Sequence, residues 1–298
     1  PDILKQHGFD SWCMWTGYET GVPASGERYW DPYIYTSGSR SRTHRGRFGP
    51  DVFTDFLVKF LEDNRESPML VYFPMVLTHG PVVHTPTELE ADTPLEKHKA
   101  MVRYTDRLVG RLVSTVDRLK LRRKTVIFFT TDNGTSKRFR ARLGDRVVRG
   151  GKGLLTENGP WQPFIVNAPG IVPAGVVTDT LTDFTDMLPT FAELAGAPIP
   201  PGAQLDGHSL AGVLRGEQRD GTRKWILAMG RGPAALDSKG VRPQQVYTDR
   251  VLRDKRFKVH VQKGRITRLH DLKTDPTEEI NLLESVQSAH VAARRKFS

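Results

Sequence analysis

The sequence contains one cysteine, Cys13, among 298 residues. That excludes an internal disulfide and leaves the redox compartment open. It has no apolar run of the roughly 20 residues that a bilayer-spanning helix needs, so no membrane span is expected. It opens Pro1-Asp2-Ile3-Leu4 with no basic, apolar leader, which is uninformative about location if the chain is part of a longer one. Internal repeats and low-complexity segments are absent. Acidic residues are in deficit, 34 against 44 Lys and Arg, giving a formal net charge of +10. Such a balance attracts polyanions over long range. No nucleic-acid-binding motif accompanies it, so nucleic acid is not the expected partner.

The composition that remains is globular, 38% hydrophobic and 26% charged, with no signature of disorder. The length allows one large domain or two smaller ones. Residues 11–48 are rich in Gly, Ser, Tyr and Trp without periodicity and read as a long loop region. Its aromatics argue against disorder, and packing onto a core is the expected role for most of them. Asp51 opens a helix with Val52, Phe53, Phe56, Leu57, Phe60 and Leu61 at helical spacing. An apolar run over 69–76 predicts a strand, 97–120 a second helix, and 125–130 a second strand. This alternation predicts an α/β fold with a mostly parallel sheet flanked by helices. A helix is expected over 183–196 and a short one over 209–215. After Gly216 the period changes, and alternation over 225–229, 246–253, 257–262 and 266–272 predicts a small antiparallel sheet. The tail, 278–296, is expected to be helical.

The strand over 125–130 runs into Thr131-Asp132-Asn133-Gly134. A strand ending in an acidic tip is the usual place for an active site in an open α/β sheet. Asp132 and Asn133 offer two hard oxygen donors, which suit Ca²⁺ or Mg²⁺. Gly150-Gly151-Lys152-Gly153 follows a short basic loop later, where glycines permit close backbone approach and aim a lysine. Metal-binding oxygens beside a lysine suggest a site for a tetrahedral anion. Taken singly, each piece is also an ordinary turn sequence. Their order, their spacing and the following Pro163-Phe164-Ile165-Val166-Asn167-Ala168-Pro169-Gly170 raise the functional reading above that.

On these residues the chain resembles the sulfatase family of the alkaline-phosphatase superfamily. Thr131 to Gly134 is like the family's metal-binding Asp-Asn-Gly, and Gly151-Lys152 like its sulfate-contacting lysine segment. Leu77-Thr78-His79-Gly80-Pro81 is like its strand-end histidine motif. Leu269-His270-Asp271-Leu272-Lys273-Thr274-Asp275-Pro276 with Asn281-Leu282 is similar to its C-terminal Tyr-Asp-Leu…Asp-Pro…Glu…Asn-Leu signature. The matches run over most of the chain in the family's order.

The resemblance implies that Asp132 and Asn133 hold one divalent cation, Ca²⁺, and that Lys152 pairs with a sulfate oxygen. It implies that His79 donates to the ester oxygen or protonates the leaving group, with all these groups converging on one pocket. Arg149 is a weaker candidate for the same anion. The implied reaction is hydrolysis of a sulfate ester through a formylglycine nucleophile, and a sulfated polysaccharide fits the basic charge as substrate. The Cys-x-Pro-x-Arg motif that yields formylglycine is missing, because Cys13 lies in Cys13-Met14-Trp15-Thr16-Gly17. So are the family's early aspartate pair and its Gly-Lys-x-x-Leu-Gly motif. The family places a segment like Leu4-Lys5-Gln6-His7-Gly8-Phe9-Asp10 just after that last motif. The chain therefore reads as the C-terminal portion of a sulfatase, inactive alone, with residues 1–215 from the catalytic α/β domain and 216–298 as the small antiparallel subdomain. The full-length protein is expected to be periplasmic or secreted. Two alternatives stay open. One is a phosphatase or phosphodiesterase of the same superfamily, which the Asp-Asn pair in place of Asp-His disfavours. The other is a non-catalytic relative that binds sulfated glycans.

Overall fold

Thr93 starts the longest helix by a reciprocal cap. Its hydroxyl accepts from the Glu96 amide at 3.2 Å while the Glu96 carboxylate accepts from the Thr93 amide at 2.9 Å. Two orphan donors of the first turn are thus satisfied, and Pro94 supplies a helical φ at no cost in hydrogen bonds. In the computed structural model residues 3–230 and 249–298 are described, together with the backbone of two strands, Ala234–Asp237 and Gly240–Pro243. The chain divides into two units, Pro1–Thr125 and Val126–Ser298. The boundary expected at 215/216 falls inside the second.

The first unit begins with a single helical turn, α1 (Ile3–Gln6). An antiparallel sheet of three short strands follows, β1 (Cys13–Trp15), β2 (Tyr33–Thr36) and β3 (Arg42–Thr43), in the order β1-β2-β3. The region expected to be loop therefore carries a sheet, too short and irregular for alternation to reveal. Its aromatics do pack. Tyr29 and Phe48 are buried and stack at 6.0 Å, and the Trp15 indole donates to the Ser25 carbonyl at 2.7 Å. Helices α2 (Gly49–Asp63) and α3 (Pro94–Arg118) complete the unit. Met101, Tyr104 and Leu108, one to two turns apart on α3, form the core with Tyr29 and Phe48.

The run 69–76 forms no regular element and joins no ladder among the described residues. Met75, Val76 and Leu77 pack against the core, whereas Leu70 and Tyr72 stand 72% and 71% exposed. Apolar patterning marks the wish to be buried; it does not supply a partner strand, and a strand needs one.

In the second unit β4 (Ile127–Thr130) leads to a hairpin of β5 (Arg140–Leu143) and β6 (Arg146–Arg149), then to β7 (Phe164–Asn167). β4 and β7 pair antiparallel, Ile127 opposite Asn167 and Thr130 opposite Phe164. The parallel sheet expected from sequence is not found: every ladder among the described residues is antiparallel. The reason lies in the connection. A parallel return needs a crossover, usually a helix, and residues 131–163 hold a hairpin and turns instead.

Helices α4 (Met187–Ala195) and α5 (Ala211–Leu214) follow, then β8 (Ile226–Met229) and the hairpin strands β9 (Ala234–Asp237) and β10 (Gly240–Pro243). Strands β11 (Asp249–Arg253), β12 (Phe257–Gln262) and β13 (Arg265–Asp271) join β8 in an antiparallel sheet of order β13-β12-β11-β8. This is the small antiparallel sheet expected from the alternation; residues 246–248 of the strand expected over 246–253 lie outside the described residues. Helix α6 (Ser288–Phe297) packs Ala293 and Phe297 on Val259 and Leu269 of the sheet. The tail helix expected over 278–296 is thus only its second half. The Asp275 carboxylate accepts from the Glu279 and Ile280 amides, at 3.1 and 2.8 Å, and holds that stretch as a turn. Among the described residues no helix is long and apolar enough to cross a membrane.

Candidate functional site

Strand β4 ends at Thr130 and delivers Thr131 to Gly134 into a knot of loops. The Thr131 hydroxyl donates to the Gln162 side-chain oxygen at 2.5 Å, and the Gln162 amide donates to the Gly159 carbonyl at 2.8 Å. The Gly134 amide also donates to Gly159, at 2.9 Å. On the other side the Lys152 amide donates to the Thr135 carbonyl at 3.0 Å and the Gly150 amide to the Phe139 carbonyl at 3.0 Å. Asn158 closes the knot by donating from its side chain to the Arg149 carbonyl at 2.7 Å. Two segments 18 residues apart in sequence are so held in one local frame, which is what a site built from Asp132, Asn133 and Lys152 requires.

Glycine is obligatory in this knot because backbones touch. A side chain at Gly134 would bring its first carbon 1.9 Å from the Asn158 carbonyl oxygen, and one at Gly151 would meet the Asn158 carbonyl carbon at 2.5 Å. Such contacts cannot be relieved by a rotamer change, since the obstacle is main chain.

Two clefts open beside the knot. One, of about 230 Å³, has Asp132, Asn133, Gly153, Leu154 and Met229 in its wall. The other, of about 500 Å³, is lined by Asn133, Ser136, Lys137, Lys152 and Gly153. They share Asn133 and Gly153, so the oxygen donors and the lysine face adjoining space. Asp132 and Lys152 are exposed, and among the described residues neither side chain makes a hydrogen bond or ion pair. An unpaired carboxylate next to a carboxamide suits a hard divalent cation, although the pair supplies only part of the six to eight oxygens that Ca²⁺ takes. Arg149 donates from Nε to the Lys137 carbonyl at 2.8 Å, which assigns it to the base of the hairpin.

His79 belongs to the first unit. Its carbonyl accepts from the Tyr29 hydroxyl at 2.5 Å, its amide donates to Val76 at 3.0 Å, and its ring is exposed. The ring Nδ1 lies 3.1 Å from the Arg28 guanidinium and 2.8 Å from the Gly80 carbonyl. A guanidinium only donates, so it favours the tautomer with the proton on Nε2; the carbonyl favours the reverse. The Tyr29 hydroxyl is pushed up to about 12 by burial, with the Arg28 charge opposing, and so stays a donor.

A group of charges that the sequence reading did not single out lies under the C-terminal sheet. Lys258, on β12, is fully buried and donates to Glu157 at 3.0 Å and to Glu278 at 2.9 Å. Arg253 pairs with Glu157 at 2.5 Å, and His260 lies 3.0 Å from Glu278. The Glu157 amide donates to Glu278 at 2.6 Å. Burial alone would raise the Glu278 pKa. The bond from His260 and the charge of Lys258 outweigh it and hold the carboxyl at about 2. His270, buried beside them, is held below the ordinary imidazole value by that burial. His260, His270 and Glu278 bring donor atoms within 4.8 Å of one another. A lysine ammonium already supplies the positive charge there, so the group closes as an ion-pair network. Its sequence signal was available: Lys258 and His260 share one strand face, out of phase with Phe257, Val259 and Val261.

Comparison with known proteins follows the same lines. The family model described as Sulfatase matches residues 1–197, and that described as N-sulphoglucosamine sulphohydrolase, C-terminal, matches 151–297. The chain is 29% identical over 229 residues to an arylsulfatase of Hemicentrotus pulcherrimus, covering 70% of this chain and 39% of that protein. It is 28% identical over 180 residues to human arylsulfatase D, covering 57% of this chain and 30% of that protein. It thus spans about a third of the length of these relatives. Among solved structures, Ps i-CgsB in complex with k-i-k-neocarrahexaose superposes with a TM-score of 0.71 at 21% identity, covering 89% of this chain and 57% of that one. A structure solved with its substrate D-glucosamine-2-N,6-O-disulfate gives 0.66 at 17% identity, covering 97% and 74%. At these identities the structural matches speak for the fold.

Proposed function

The chain belongs to the sulfatase family, and on that premise we propose that the whole protein hydrolyses sulfate esters with Asp132, Asn133, Lys152 and His79 in its active site. The observation that carries the reading is the knot binding the Asp132-Asn133 turn to the Lys152 loop, with the two sharing the walls of adjoining clefts. Lys152 acts as a point charge on a sulfate oxygen, and its side chain makes no ion pair among the described residues. Asp132 and Asn133 hold the cation, which when bound neutralises charge developing on the sulfate. His79 presents an exposed imidazole suited to donating a proton to the leaving alcohol. Formylglycine, the family's nucleophile, has no source in these residues, since Cys13 lies in no Cys-x-Pro-x-Arg sequence; in this reading it belongs to the remainder of the protein. Glycan sulfates are the favoured substrate class, given the net charge of +10.

The test is selectivity. The whole protein should turn over p-nitrophenyl sulfate and leave p-nitrophenyl phosphate nearly untouched. Faster turnover of the phosphate would establish the superfamily's phosphatase chemistry instead.

A further inference from the structure

Between the two halves of the knot stands a hairpin with an unusual charge pattern. From Lys137 to Lys152 the sequence carries seven cations, Lys137, Arg138, Arg140, Arg142, Arg146, Arg149 and Lys152, against one acid, Asp145. The register places Arg140 directly opposite Arg149. Residues so opposed share a face of the ladder, and like charges there are destabilising. Arg142, two residues along β5, lies on the same face. Among the described residues the side chains of Arg140, Arg142 and Arg146 make no ion pair or hydrogen bond. A ladder face carrying Arg140, Arg142 and Arg149 with no acidic side chain paired to it among the described residues is what an external polyanion would complete.

The hairpin is not a loose arm. A hairpin of two four-residue strands is marginal in isolation. This one is tied at its base by the Gly150–Phe139 and Arg149–Lys137 hydrogen bonds and by Asn158. The same base carries Lys137 and Lys152 into the larger cleft. Positive charge therefore runs continuously from the proposed sulfate position out along β5 and β6.

We propose that the β5–β6 hairpin is a binding subsite for the non-reacting sulfate groups of a multiply sulfated polysaccharide whose reacting sulfate lies at Lys152. The inference rests on the sulfatase reading of that lysine. Planar guanidiniums suit sulfate oxygens, which they can engage two at a time. Single-stranded nucleic acid is the weaker fit, because its non-specific sites combine charge with exposed aromatic faces. The one aromatic of the hairpin, Phe139, is 8% exposed, with the Arg138 guanidinium 4.7 Å above its ring.

The experiment compares the whole protein with its Arg140→Ser/Arg142→Ser and Arg140→Lys/Arg142→Lys variants. Calorimetry measures binding of dextran sulfate and of a single-stranded DNA, and p-nitrophenyl sulfate turnover is measured in parallel. The serine variant should bind dextran sulfate about tenfold more weakly and with a shallower salt dependence. The lysine variant should recover part of the loss, and turnover of the small ester should stay unchanged in both. Unchanged dextran sulfate binding in the serine variant overturns the subsite. So does DNA binding as tight as dextran sulfate binding and equally lost. Failure of the unmutated protein to hydrolyse the small ester would instead strike the sulfatase reading, and that result is separate from the binding data.

Discussion

The α-carbon of Gly134 faces the carbonyl oxygen of Asn158 so closely that a first side-chain carbon would sit 1.9 Å from it. Residue 134 follows the proposed cation ligands and residue 158 lies past the lysine loop. The contact therefore fixes the distance between the two parts of the site.

Gly134→Ala should separate them. Main chain would have to move, with a cost of about 1–3 kcal/mol for overpacking. Thermal melting should register the loss, and Ca²⁺ affinity by calorimetry should fall with it. Gly144→Ala is the control. It lies at the hairpin tip with open space around its α-carbon, although its φ of 60° adds its own strain. Intact Ca²⁺ affinity in Gly134→Ala would show that the knot does not shape the site.

Acid should weaken the second unit through Glu278. Its folded pKa of about 2 lies below the ordinary carboxyl value of 4.5. A depressed carboxyl contributes stability that is full above the unfolded pKa and is lost as pH falls toward the folded one. The loss from Glu278 therefore spans roughly pH 4.5 to 2. His270 adds a loss of the same sign at higher pH. Its folded pKa is lowered by burial, so the unfolded chain takes up the proton first as pH falls. Glu278→Gln should lose about 3 kcal/mol of stability in urea melts at pH 7 for breaking a buried pair, and should show a smaller drop between pH 4.5 and 2. Equal acid sensitivity in variant and parent would refute the assignment.

Part of this was legible in the sequence and part was not. The Asp132-Asn133 turn and the Lys152 loop stood out because strand end, glycine and lysine each carry local chemistry. Helix α3 was legible through its periodicity, and β12 through its alternation. The direction of the β4–β7 pair was not legible, because pairing depends on the path of residues 131–163 and not on either strand. The run 69–76 misled for a related reason: its apolar residues mark burial, and only Met75 to Leu77 find a core. The Lys258–Glu157–Glu278 network draws on residues as many as 121 apart, a separation at which no local pattern operates.

Arg223 should be among the costliest single positions in the second unit. Its guanidinium bonds the fully buried Asp186 carboxylate at 3.0 and 2.5 Å and reaches Asp183 at 3.1 Å. Arg223→Ala would leave Asp186 buried with only backbone donors, at a cost of about 3–5 kcal/mol. Removing the exposed Arg118, paired with Glu62 at 2.6 Å, should cost under about 1 kcal/mol. Urea melts of the two variants read the difference directly; similar midpoints would contradict it.

His79→Ala should lower turnover of sulfate esters by about 10²-fold or more if the imidazole protonates the leaving group. The deficit should shrink for esters with good leaving groups, which need no proton. A deficit independent of leaving-group pKa would assign His79 to binding the sulfate.

The most direct measurement is kcat/KM of the whole protein for p-nitrophenyl sulfate with Lys152→Ala beside the unmutated enzyme. Lys152 is exposed, without a side-chain partner among the described residues, and stands in the cleft wall with Asn133. It has no structural task that its loss would disturb. A drop of about a hundredfold or more, the scale of losing one charge-stabilising donor, with an unchanged melting temperature is the predicted result. An unchanged kcat/KM would contradict the sulfate site at its centre.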